Sequence, residues 1–246
     1  MGSKVCQFLT KYSRPSIRWV PILLFLVMLP IQPQKAHGNV SCHCFKERSF
    51  KPAQPASADP YILATTRNSL LAAAAGIDKG TVVRQRMTGA TETDLWLSNY
   101  LSTRVDNRSA DELLDARDKG SSWAAAFDAV GLDSGKLGTA FQTARKTDDA
   151  DGMARSLADP VLGEAFTVPE PTLAQMRDAG ANIAETALSL YLAGQLNQTP
   201  ESIFRKVKEG KKTWGVLLNS LGIKIDTVGD LIAEAVRKAV NVNSER

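Results

Sequence analysis

An offset of 91 residues lays one half of this chain over the other, and that correspondence limits the fold more than composition does. Residues 81–141 lie over residues 172–232 without a gap. Gly89-Ala90 meets Gly180-Ala181, Leu97-Ser98 meets Leu188-Ser189, and Tyr100-Leu101 meets Tyr191-Leu192. Further along, Trp123 meets Trp214, Gly131 meets Gly222, and Gly138 meets Gly229. The apolar positions between them agree: Leu113 with Phe204, Val130 with Leu221, Leu137 with Val228. The chain holds only four Trp and four Tyr, so two matched pairs at one ungapped spacing predict an internal duplication.

Each copy reads as a small helical bundle. A helix carries the Tyr (92–103; 182–195), and a capped helix follows (111–119; 201–209). A third helix begins at the Trp (122–130; 213–221) and a last one closes the unit (136–146; 227–240). Ser109-Ala110-Asp111-Glu112 has the form of a capping box, and Thr199-Pro200-Glu201 opens a helix in the same manner. Gly131 and Gly222 stand where a left-handed C-cap would end the Trp helix. Tyr100, Trp123, Gly131, Tyr191, Trp214 and Gly222 are therefore expected to build the repeat core. Upstream, Asp59-Pro60 supplies an expected N-cap and first-turn proline for a helix ending near Gly76. No stretch alternates with period two among β-branched residues, so the predicted class is all-α. The expected organisation is an N-terminal helical repeat over 61–160 and a C-terminal one over 161–246.

The first 60 residues are of another kind. Lys4, Lys11, Arg14 and Arg18 precede a charge-free apolar run from Trp19 to Ile31, and Ala36-His37-Gly38 offers small residues at a cleavage position. These features predict a secretory signal peptide over 1–38, hence a periplasmic or extracellular protein. The alternative is an uncleaved N-terminal membrane anchor, although the run is interrupted by proline and falls short of the ~20 residues a spanning helix needs. Residues 39–60, with Pro52, Pro55 and Pro60, read as a flexible irregular leader. Five of the 30 Lys and Arg lie before Asn39, leaving 25 against 26 Asp and Glu and a net charge of −1. A chain so nearly neutral lacks the basic footprint of nonspecific nucleic-acid binding. With 43% hydrophobic and 23% charged residues it is composed as a folded protein.

The segment 211–223, Lys-Lys-Thr-Trp-Gly-Val-Leu-Leu-Asn-Ser-Leu-Gly-Ile, followed by Asp226-Thr227-Val228, resembles the helix-turn-helix of bacterial regulators. That resemblance implies DNA binding through the helix that starts near Thr227. Asp226, Asp230 and Glu234 precede Arg237 and Lys238 on it, so its N-terminal half would repel phosphate. The outline Gly-x-x-Trp…Leu-Gly-[Ile/Leu], which both segments follow loosely, also resembles that of secreted bacterial helical proteins of no known activity.

Catalytic chemistry is limited by inventory. The chain has two histidines, and His37 lies in the signal, which leaves His43 for any triad or His-based metal centre. Asp148-Asp149-Ala150-Asp151 lacks the Gly and terminal Glu of a calcium loop and reads as a solvated helix start. Gly135-Lys136-Leu137-Gly138 lacks phosphate-loop spacing. Cys42-His43-Cys44 stands apart. Its order excludes c-type haem attachment, and Asn39 stands where a lipid anchor on Cys42 would want an aliphatic residue. A disulfide remains, or an incomplete Cu or Zn site. The expectation from sequence is a non-enzymatic protein that binds or scaffolds a protein or envelope partner. Thiol or metal handling at Cys42, His43 and Cys44 is the first alternative, and DNA binding the second.

Overall fold

Local signals set most of the helix ends. The computed structural model describes residues 45–104, 108–120 and 122–244, with side chains through 240. Among these every regular element is helical and none is a strand. In chain order they are α1 (Asp59–Ala75), α2 (Lys79–Met87), α3 (Glu92–Leu95), α4 (Ala110–Lys119), α5 (Trp123–Ala129) and α6 (Gly138–Lys146). Then come α7 (Ala150–Phe166), α8 (Glu170–Asp178), α9 (Ile183–Leu196), α10 (Pro200–Lys208), α11 (Trp214–Ser220) and α12 (Val228–Ser244). Thr91, Ser109 and Asn182 head capping boxes, each closed by the acidic residue three positions on. Gly131 and Gly222 follow α5 and α11 with φ of +63° and +70°, the left-handed geometry a C-cap glycine supplies.

Two pairs of helices keep the 91-residue spacing. α8 begins and ends 91 residues after α2, and α11 begins and ends 91 residues after α5. The Tyr helices differ. α9 is unbroken, whereas its counterpart leaves α-geometry at Leu95 and runs through a π-helical turn, Trp96–Tyr100. The continuous helix expected over 92–103 is therefore interrupted, and a π turn carries no compositional signature that would have announced it.

Two apolar cores form. One gathers Leu95, Leu113, Trp123, Phe127, Phe141, Met153 and Leu162; the other gathers Met176, Leu188, Leu192, Ile203, Phe204, Trp214 and Leu218. Four helices are common to both, α8 among them with Leu173 in the first core and Met176 in the second. α1 gives Ile62 to the second core and Leu70–Ala75 to the first, while α9 and α12 are divided likewise. α1 packs mainly on α12 and α9 and is buried on almost every side, which suits its long apolar run. The boundary expected at residue 160 falls inside α7, which continues through Pro160.

Asp59 lies one residue inside α1, whose N-cap position is Ala58, so it does not cap its own helix. Its carboxylate instead accepts from the backbone N–H groups of Trp214 (3.2 Å) and Gly215 (2.9 Å) at the start of α11. The Thr213 hydroxyl donates to the Pro55 carbonyl at 3.0 Å, and a Cβ on Gly215 would stand 3.1 Å from Phe50 and 3.0 Å from that same carbonyl. Residues 45–58 are thus irregular, as the prolines indicate, and they lie against α11 and α1, with Phe45 edge-on to Tyr61 at 5.7 Å.

Burial pushes the Asp59 carboxyl above its ordinary value, against the pull of the two N–H donors. Asp59→Ala strands both donors and is expected to cost about 1–3 kcal/mol, whereas Asp59→Asn keeps an acceptor and costs less. A raised folded-state value means that stability from protonating Asp59 is complete below 3.8 and is lost as pH rises through the raised value. Denaturant titrations from about pH 3 to about pH 7 should show the wild type losing ground to Asp59→Asn. A parallel pair of curves refutes it.

Candidate functional site

Three helices in succession, α6, α7 and α8, line an open groove of about 960 Å³. Volumes of this order accommodate a drug-sized ligand or a short peptide. Thr139 and Thr143 stand one turn apart on α6 and share a face, so with Thr147 they form a hydroxyl-bearing wall. α7 contributes small side chains, Gly152, Ser156 and Gly163, which leave the groove its width. α8 closes the far side with Leu173 and Arg177.

Pro160 shapes α7. Proline has no N–H to give the Ser156 carbonyl, and in a helix interior it costs about 3 kcal/mol. Both residues line the groove and also a second recess of about 280 Å³, which lies against Tyr100 and Arg104. Pro160 of α7 and Tyr100 of the π turn thus line the same recess.

The groove is acidic: five carboxylates (Asp149, Asp151, Asp159, Glu164, Glu170) against Arg155 and Arg177. Most are held in place. Asp149 caps α7 by accepting from Gly152 N–H at 2.9 Å, and Asp151 accepts from the Thr93 hydroxyl. Arg177 bridges Asp159 and Glu170, and Arg155 donates to the Ala181 carbonyl at 2.9 Å. Burial lifts the Asp159 carboxyl above the usual carboxylate range, against the opposing charge of Arg177. Behind the groove Glu92 is raised in the same way by burial, with Arg67, Arg86 and Arg155 opposing. Asp148, with φ of +53°, accepts from Ala124 N–H at 3.3 Å, so this acidic run serves helix starts on two elements.

The residues singled out by sequence fall in three places. Trp123 and Trp214 are each 2% exposed, one in each core. Trp123 packs on Phe127 at 5.3 Å and donates from Nε1 to Asp94 Oδ1 at 2.9 Å. Tyr191 is half-buried between the two cores, whereas Tyr100 packs on the first core and lines the small recess. Cys42, His43 and Cys44 lie outside the described residues, as does the apolar run at 19–31. Among the described residues no group of three or more His, Cys, Asp or Glu converges as a metal cage, and no helix is long and apolar enough to cross a membrane. Sequence reasoning missed the groove. Its helices pair through tertiary packing, and the one local sign was a proline in the middle of a helical pattern. Comparison with protein-family models, with curated proteins and with solved structures finds no match.

Proposed function

We infer that this is an exported, non-enzymatic binding protein of the cell envelope that holds its ligand in the α6–α7–α8 groove. The observation that carries this reading is the groove itself: about 960 Å³, floored by small side chains, with five carboxylates outnumbering two guanidinium groups. Such a lining favours a ligand that brings positive charge and an apolar body. The folded residues from Phe45 onward contain neither cysteine nor histidine, which supports a binding role over acid–base or nucleophilic chemistry. Export rests on the basic, apolar and small-residue order of residues 1–38. Duplication is part of the same reading, supported by the shared bounds of α2 with α8 and α5 with α11. Duplex DNA is a poorer partner, because the side chains exposed there are acidic: Asp226 just before α12, and Asp230 and Glu234 in its first two turns.

Calorimetry with the peptide Lys-Leu-Ala-Leu-Lys and its Glu-for-Lys counterpart tests the reading. The basic peptide should bind at least about tenfold more tightly at low salt, and the preference should shrink as salt rises. Thr143 is exposed on α6. Thr143→Trp should therefore fill the groove and abolish binding with the helical circular dichroism unchanged. Equal affinity for both peptides, or binding indifferent to Thr143→Trp, overturns it.

A further inference from the structure

We propose that the recess between the π-helical turn and the Pro160 stretch of α7 is a binding site for a small organic anion, a carboxylate or phosphate carried on an apolar body. It is separate from the groove reading and differs from it in charge. The recess measures about 280 Å³, room for a ring with one charged substituent. Two cations stand on its lining, Arg104 and Lys136, and among the described residues neither is in an ion pair. Arg104 is held ready. Its guanidinium lies 4.8 Å over the Tyr100 ring and donates to the Ala74 carbonyl at 3.4 Å. A guanidinium carries five N–H donors, so others remain for a planar oxyanion.

The lining carboxylate, Asp133, is occupied by its own turn, accepting from Gly135 N–H at 2.9 Å. Glu164 is the other carboxylate near Tyr100, where it adds to the effect of burial in raising the phenol. Leu157 and Pro160 supply the apolar wall beside the Tyr100 ring.

The site belongs to one half of the chain. At the corresponding positions, 91 residues on, Gln195 replaces Arg104 and Thr227 replaces Lys136. α9 carries Tyr191 through an unbroken α-helix, without the π turn that bears Tyr100. The π turn and the mid-helix proline both border the recess on which Arg104 and Lys136 stand. Irregular helix of this kind recurs where a ligand must be met by otherwise inward-facing groups.

The test is calorimetric titration of the full chain at low salt with benzoate and with phenyl phosphate, using benzylamine as the cationic control. One anion should bind with a single site and benzylamine should not; whichever anion binds more tightly assigns carboxylate or phosphate. Arg104→Gln and Lys136→Gln, both at exposed positions, should each weaken it by about tenfold. Thr143→Trp should leave anion binding intact, which separates this site from the groove. Absence of binding by both anions, equal binding of benzylamine, or indifference to Arg104→Gln overturns the proposal.

Discussion

Trp123→Ala should lower the free energy of unfolding by about 3–5 kcal/mol, and Trp214→Ala should do the same from the other core. Each indole is 2% exposed, so truncation opens a large cavity that neighbouring side chains cannot close. Against a total of about 5–15 kcal/mol, either loss brings the chain near its midpoint at room temperature. The form of the transition matters as much as its position. α1, α9 and α12 each serve both cores, so damage to one should be felt by the other and unfolding should stay a single transition. Thermal melts followed at 222 nm check this; two resolved steps would show that the halves fold independently. Trp123→Phe separates bulk from bonding. It keeps most of the volume and loses the hydrogen bond to Asp94, at about 0.5–1.5 kcal/mol.

Gly229→Ala should also destabilise, and here the sign is the diagnostic. In a helix interior that change ordinarily gains about 1 kcal/mol. At residue 229, in the first turn of α12, a Cβ would stand 2.6 Å from both Thr65 Oγ1 and Ser69 Oγ on α1, and 3.1 Å from Lys79 Nζ. Thr65 cannot turn away freely, because its hydroxyl accepts from Lys79 at 2.9 Å. Overpacking at a close helix crossing costs about 1–3 kcal/mol, enough to reverse the propensity gain. Ser69→Ala removes one obstructing oxygen, so the double variant should recover part of the loss. A denaturant-based cycle reads that coupling, expected at about 0.5 kcal/mol or more. A stabilised Gly229→Ala would mean that α1 and α12 lie farther apart than described.

What sequence could show followed from local chemistry. Ser109 with Glu112, and Thr199 before Pro200, announce helix starts because their partners are three residues away. Gly76, Gly131 and Gly222 announce ends because only the left-handed backbone needs them. α1 was legible as a helix and illegible as the shared centre. Thr65, Thr66, Asn68 and Ser69 look like a solvent face, yet all are buried between neighbouring helices. Asp59 misled for the same reason: its side chain serves a helix start some 155 residues along, where no window of neighbouring residues can see it. The groove and the recess draw on three or more segments each, so their residues carried no common signal.

The shared position of α1 has a consequence for how the chain is made. α1 leaves the ribosome early, but α12, its most extensive partner, begins roughly 150 residues later. At about 5–20 residues per second the first helix waits on the order of ten seconds for the surface that buries it. Its alanine- and leucine-rich side remains open to chaperones throughout that interval, and contacts of such long range also slow the closing step itself. A chain whose first helix lacks its main partner until α12 emerges cannot close its core before then, and stays loosely packed for most of its synthesis.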